Sequence, residues 1–279
     1  MPLYHIGGIA CALLSLLSGK TLCVGRGSKY LFLDLPKLQP TYLSLVPSML
    51  DSFVKLLKRN PDPSDRVKLF GSGLKRVFVG GAASKISACQ YLLGQGFIVD
   101  TGYAMTETTG VGTWCSLQKD RLDTVGKPSV NLQIRICDGE LQLSGPCVMQ
   151  HYYRDPEETA QVLEDGWLHT GDLGVCDEEG WYSITGRKKN VIILSGGENV
   201  NPAEIEKEFV KCPQILECSV YTDGRGICAD VYTQAQEKAA GFIHRYNEEM
   251  PNYRQVYKVR YTDVPLEKTG SGKILRKGQ

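Results

Sequence analysis

Leu74-Lys75-Arg76-Val77-Phe78-Val79-Gly80-Gly81-Ala82-Ala83 is an apolar run that ends on four small residues. A helical stretch, Ser84–Gly94, separates it from a second apolar run, Phe97-Ile98-Val99-Asp100. Strand, helix and strand in this order read as neighbours in a parallel sheet joined by a crossover. The same alternation extends upstream, with a strand over Thr41–Val46 and helices over Gly8–Leu17 and Pro47–Lys58. Small residues where a strand ends let the backbone approach a flat ligand closely, although any strand-to-helix turn also favours glycine.

The texture changes beyond Asp123. Leu132–Ile136 and Glu140–Leu143 are short β segments joined through Asp138-Gly139, a strong hairpin signal. Asp155-Pro156-Glu157-Glu158 supplies a cap, a proline at the first helical position and an acid three residues after the cap, so a short helix is expected to run to Leu163. Asn201-Pro202-Ala203-Glu204 repeats that grammar, with Ile205, Phe209 and Val210 as the apolar face. Strands near Glu217–Tyr221, Ile227–Thr233 and Tyr257–Thr262, with a helix near Ala235–Asn247, complete the pattern. The fold class read from this is α/β: a helix-covered sheet with a small β-rich subdomain, followed by a small α+β C-terminal domain.

The 279 residues are 42% hydrophobic, enough for sizeable cores. Lys and Arg total 32 against 31 Asp and Glu, so no bulk field recruits nucleic acid or an anionic membrane, and any anion site must be local. Ten cysteines contain no Cys-x-x-Cys pair and the four histidines are scattered, which argues against a zinc cage and a disulfide scaffold. Reduced thiols packed as small core residues in a cytoplasmic protein are expected. Ile9–Leu17 is not preceded by Lys or Arg, as a signal peptide would be, and is too short to span a bilayer. It is expected to be a buried helix.

Tyr103-Ala104-Met105-Thr106-Glu107 follows the strand at Phe97–Asp100 and falls where open parallel sheets place ligands. A tyrosine ring can stack on a base, a threonine hydroxyl can donate to a phosphate oxygen, and a glutamate can hold magnesium. Asp172 offers two acceptor oxygens, suited to the vicinal hydroxyls of a ribose, with a surface ion pair as the plainer reading. His169 and the near-terminal His5 read as structural residues before catalytic ones. Gly270-Ser271-Gly272-Lys273 is too short for a nucleoside-triphosphate phosphate loop, and Ile274 stands where Ser or Thr is needed.

Four segments occur in one order: Gly102-Tyr103-Ala104-Met105-Thr106-Glu107-Thr108, Gly166-Trp167-Leu168-His169-Thr170-Gly171-Asp172, Gly186-Arg187-Lys188-Lys189-Asn190 running to Glu206, and Lys268-Thr269-Gly270-Ser271-Gly272-Lys273. Together they resemble the nucleotide-handling parts of the adenylate-forming superfamily of acyl-CoA synthetases, firefly luciferase and peptide-synthetase adenylation domains. The resemblance runs from Pro2 to Arg276, and the form of Gly186–Asn199 leans toward fatty-acyl-CoA synthetases. It implies a ligase that joins a small-molecule carboxylate, a fatty acid by this form, to AMP from ATP with Mg2+ and passes it to coenzyme A.

The resemblance also assigns roles. Gly81, Ala82 and Ala83 would line the adenine side with Thr101 and Gly102 nearby, Tyr103 would stack on adenine, Thr106 would meet the α-phosphate, and Glu107 would hold the metal. Asp172 and Arg187 would take the ribose, and Lys273 would reach the reacting phosphate. Gly196 and Gly197 would lie near the pantetheine arm, and His5 near the acyl pocket. Residues 1–189 would be the C-terminal part of the large AMP-binding domain and 190–279 the small mobile domain, hinged at Asn190 where many relatives carry aspartate. Relatives hold the ATP phosphates with a Ser/Thr/Gly-rich loop and a lysine upstream of the position of Pro2, whereas this sequence starts at Met1. Three expectations follow: a ligase whose loop comes from an upstream polypeptide, a catalytically impaired AMP- or CoA-binding remnant, or an interaction protein that keeps the fold.

Overall fold

The computed structural model describes residues 3–118, 121–268 and 274–276. The chain divides into two compact units, one of Met1–Thr170 with Val175–Ser183 and the other of Gly171–Gly174 with Ile184–Gln279.

The first unit opens with helices α1 (Ile6–Leu17) and α2 (Leu31–Leu38), strand β1 (Tyr42–Leu45), helices α3 (Pro47–Arg59) and α4 (Pro63–Phe70), strand β2 (Arg76–Val79), helix α5 (Ile86–Gly94) and strand β3 (Ile98–Tyr103). β4 (Thr113–Ser116) and β5 (Lys127–Pro128) complete a sheet in sequential order. β1, β2 and β3 are parallel, in the register Leu45↔Val79↔Thr101, and β4 and β5 turn back antiparallel. Period two puts Leu43, Leu45, Val77, Val79 and Val99 on one face, where all five are buried. α3 covers that face with Leu50, Phe53, Val54 and Leu57, one stripe at helical spacing. Phe53 is fully buried and meets Phe70 at 4.7 Å between ring centroids.

α1 departs from the expected buried helix. His5 caps it, Nδ1 accepting the Gly7 N–H at 3.1 Å, yet only Gly8 is buried. Leu14 is 68% exposed and Leu17 85%. The helix is apolar on every side, so one stripe can pack near the Gly110 turn while the rest has no partner layer among the described residues.

Asp34 of α2 accepts from Arg26 Nε at 2.8 Å and from the Arg26 backbone N–H at 2.9 Å. These bonds hold its carboxyl below the ordinary value of 3.8. A folded-state value lower than the unfolded one adds stability above the unfolded value, and that stability is lost as pH falls through the folded value. Wild type is therefore expected to exceed Asp34→Asn in urea midpoint at neutral pH, with the gap closing below pH 3.8. A gap that persists in acid would show that the charge of Asp34 is not its source.

β6 (Gln133–Cys137) and β7 (Glu140–Ser144) form the expected hairpin, with Asp138 and Gly139 both at positive φ, 49° and 77°. α6 (Pro156–Val162) starts where Asp155 accepts the Glu158 N–H at 3.0 Å. β8 (Leu163–Glu164) pairs with β9 (Trp167–Cys176), and β10 (Tyr182–Arg187) follows. The sheet order is β10-β9-β7-β6, and the chain passes between the units within β9 and β10.

In the second unit β11 (Ile192–Ile193) and β12 (Asn199–Val200) make a two-stranded ribbon before α7 (Pro202–Phe209). A sheet of β13 (Glu217–Thr222), β14 (Ile227–Tyr232) and β15 (Val256–Thr262) carries α8 (Gln236–Glu249) between its last two strands. β13 and β14 are antiparallel while β14 and β15 are parallel, as a crossover through α8 requires. Ile205, Phe209, Val220, Ala229, Val231 and Ile243 close the core. Among the described residues no helix is long and apolar enough to cross a membrane.

Candidate functional site

The parallel pair β2 and β3 ends side by side, with the Thr101 hydroxyl donating to the Val79 carbonyl at 3.1 Å. The small-residue turn after β2 thus lies next to the start of the Tyr103 loop. Gly81 has φ +86°, a conformation that disfavours side chains, and Gly81 and Ala83 are exposed. Gly102 faces a different constraint: a Cβ there would come within 2.4 Å of the Thr113 carbonyl on β4. Tyr103, half-buried, packs against the cluster around Leu132, Leu143 and Leu168.

Thr106–Thr108 form a single 3-10 turn. Thr108 is buried, and its hydroxyl bonds the Met105 backbone N–H at 3.3 Å and the Met105 carbonyl at 3.1 Å, which fixes the turn. Thr106 is thereby left at the surface and Glu107 half-buried. The Glu107 carbonyl accepts from Met149 N–H at 2.7 Å, and its carboxylate Oε1 accepts the Tyr152 hydroxyl at 2.8 Å. Burial and the Glu107 carboxylate push the Tyr152 phenol up to about 12, so it stays a donor at neutral pH. Tyr152 is not among the expected site residues: it lies 45 residues from Glu107, and no local spacing rule pairs them.

Gly81, Ala82, Ala83, Thr101, Gly102, Tyr103, Thr106 and Glu107 therefore gather at one end of the first unit's sheet. Two carboxylate oxygens on a short turn suit magnesium, which commonly takes one or two carboxylates and completes its shell with phosphate and water. Among the described residues no group of three or more His, Cys, Asp or Glu forms a protein-only cage.

Asp172 and Arg187 belong to the second unit, where they form an ion pair: Arg187 Nη1 donates to Asp172 Oδ1 at 2.9 Å. The Asp172 side chain is 12% exposed and that of Arg187 43%. Gly196 and Gly197 form the exposed turn between β11 and β12, closed by the Gly197 N–H to the Leu194 carbonyl at 2.9 Å. Asn190 ends a 3-10 turn over Lys188–Asn190.

Lys273 lies outside the described residues. The segments on either side of 269–273 are anchored. Lys268 pairs with Glu217, Lys268 and Ile274 form an antiparallel bridge, and the Leu275 N–H donates to the Glu267 carbonyl at 2.9 Å. Arg276 pairs with Glu206, and both side chains are less than one-fifth exposed.

His169 faces Glu140 and Glu164 at 3.7 and 3.6 Å and Gln142 at 3.2 Å, a packing role in the second sheet. All ten cysteines are free. Cys89, Cys115, Cys212, Cys218 and Cys228 are buried as small core residues, but Cys23 in a loop and Cys137 and Cys176 at the last positions of β6 and β9 are exposed, against expectation.

The family profile of AMP-binding enzymes matches residues 1–153, and the chain belongs to that family. A 2-succinylbenzoate–CoA ligase of Bacillus cytotoxicus is 30% identical across 99% of this chain and 60% of its own length. A long-chain-fatty-acid–CoA ligase of Mycobacterium bovis is 34% identical over 63% of this chain and 29% of its own. The fold is similar to o-succinylbenzoate coenzyme A synthetase of Bacillus subtilis. With that enzyme's acyl-adenylate complex the TM-score is 0.83 at 28% identity, over 100% of this chain and 59% of the other. With its ATP and magnesium complex the TM-score is 0.81 at 27% identity, over 100% and 60%. The chain thus spans about 60% of the length of the 2-succinylbenzoate ligase it matches.

Proposed function

We propose that this chain works as an AMP-forming acid–thiol ligase. A carboxylate oxygen of the substrate attacks the α-phosphorus of ATP and the bond to pyrophosphate breaks. The sulfur of coenzyme A, having given up its proton, then attacks the acyl carbonyl and AMP leaves. The observation that carries the reading is the strand-end cluster of Tyr103, Thr106 and Glu107 beside the Gly81–Ala83 turn, in a chain of the AMP-binding enzyme family.

In this reading Tyr103 and the backbone at 81–83, 101 and 102 receive adenine, Asp172 and Arg187 the ribose, and Thr106 the α-phosphate. Lys273 supplies a movable positive charge where charge develops on the reacting oxygens. Magnesium, when bound, neutralises phosphate charge as pyrophosphate departs, and Glu107 would hold it. Gly196 and Gly197 would border the pantetheine arm of coenzyme A, after rotation of residues 190–279 about Asn190 against residues 1–189. The wide coverage of the 2-succinylbenzoate ligase favours an aromatic carboxylate over the fatty acid suggested by the form of Gly186–Asn199. Ten free thiols support a reducing, cytoplasmic location.

A Ser/Thr/Gly-rich phosphate loop with its lysine is not found in the 279 residues, so affinity should rest on adenine, ribose and the α-phosphate. Calorimetric titration is expected to show AMP and a non-hydrolysable acyl-adenylate binding more tightly than ATP. Undetectable binding of all three to folded protein would remove the nucleotide reading and leave that of an interaction protein.

A further inference from the structure

We propose that Tyr152 is a positioning residue for the Glu107 carboxylate, holding it in the orientation in which it receives a divalent cation. The inference rests on Glu107 being the metal-holding residue of the proposed reaction and names a second residue that this role requires.

A glutamate has three rotatable side-chain bonds, and on a half-buried turn nothing intrinsic to the residue selects one rotamer. Here one oxygen is fixed. Tyr152 donates its hydroxyl to Glu107 Oε1 at 2.8 Å. The backbone that carries the phenol is itself held: the Tyr152 N–H donates to Thr159 Oγ1 at 2.9 Å, and that hydroxyl donates to the Asp155 carbonyl at 2.6 Å. Thr159 lies in α6, whose first turn is capped by Asp155, so the main chain at Tyr152 is tied to a capped helix.

The segment carrying Tyr152 is tied to the Glu107 turn at two further points. Met149 N–H donates to the Glu107 carbonyl at 2.7 Å, and Thr109 Oγ1 donates to the Cys147 carbonyl at 3.3 Å. Backbone contacts alone would serve to pack the two segments. The phenol-to-carboxylate bond adds something they do not, because it acts on the side chain whose charge would meet the metal. Outer partners of metal ligands work in this way, and their loss typically costs about 10- to 100-fold in metal affinity.

Tyr152→Phe keeps the ring and removes the donor. Titration of the full chain with Mn2+ in the presence of ATP, read by the electron paramagnetic resonance of free Mn2+, is expected to show about tenfold weaker metal binding for this variant. AMP affinity without metal and the thermal midpoint should stay at wild-type values, and Glu107→Gln should lose the ATP-dependent Mn2+ site. Wild-type Mn2+ affinity in Tyr152→Phe, with the site lost in Glu107→Gln, would overturn the positioning role while keeping the metal role of Glu107. A parallel loss of AMP affinity in Tyr152→Phe would overturn it in favour of general packing. No ATP-dependent Mn2+ binding by folded wild type would remove the reading of Glu107 as metal holder, and this inference with it.

Discussion

Asp172→Ala is expected to weaken AMP binding roughly a hundredfold. The ribose of AMP presents two neighbouring hydroxyls, each a donor, and an ionised carboxylate with two oxygens can accept both. Hydrogen bonds to a charged group contribute about 1.5–3 kcal/mol each, and losing such a pair of bonds comes to about 3 kcal/mol once water takes their place. The Asp172 side chain is 12% exposed, which limits how much water can already compete for it, and its Oδ1 is oriented by Arg187 Nη1 at 2.9 Å. Stability should change much less. Arg187 is 43% exposed and can be rehydrated when its partner is gone, which limits the cost of breaking the pair. The two effects separate in one experiment: calorimetric titration with AMP beside a urea unfolding curve. An AMP affinity within about threefold of wild type, which corresponds to less than one good hydrogen bond, would show that Asp172 does not take the ribose.

Much of the architecture was legible because the local rules agreed with one another. α3 matches the helix expected over Pro47–Lys58, and the hairpin of β6 and β7 is legible in Asp138-Gly139, whose positive φ angles the turn requires. α6 and α7 were found through caps, and the side chains of Asp155 and Asn201 do accept the expected backbone N–H groups. α4 is not among the expected helices although Asp62-Pro63-Ser64-Asp65 has the same grammar, and Asp62 accepts the Ser64 N–H at 2.7 Å. α2 is not legible for a different reason: Pro36 stands inside the helix, where its lost donor argues for a break. Over eight residues the helix tolerates it, with Arg26 and Asp34 tying the segment to the preceding loop. The exposed outer side of α1 was beyond reach, because an apolar run signals a wish to be buried and says nothing of whether a covering layer is at hand. In the candidate site Tyr152 is not legible as a partner of Glu107, since only the return of the chain after β7 brings it there.

The largest effect on turnover is expected from Lys273→Ala. In the proposed reaction negative charge spreads over oxygens of both partners as the carboxylate attacks the α-phosphate, and Lys273 would be worth most at that moment. Removing one such group typically lowers the rate about 10²- to 10³-fold. AMP affinity should fall less than the rate does, because the lysine's charge is needed chiefly where charge develops in the transition state. The pairs Glu217–Lys268 and Glu206–Arg276 anchor the sequence on both sides of residues 269–273, so the substitution should leave the second unit's core unaltered. Carboxylate-dependent pyrophosphate release is the measurement, made on the chain alone and on the chain mixed with a polypeptide bearing the Ser/Thr/Gly-rich loop of the relatives. Wild type should release little alone and more in the mixture, and Lys273→Ala should abolish the gain. Strong release by the chain alone would show that the phosphate loop is dispensable here, and a gain that survives Lys273→Ala would show that the charge on the reacting oxygens is met by another residue.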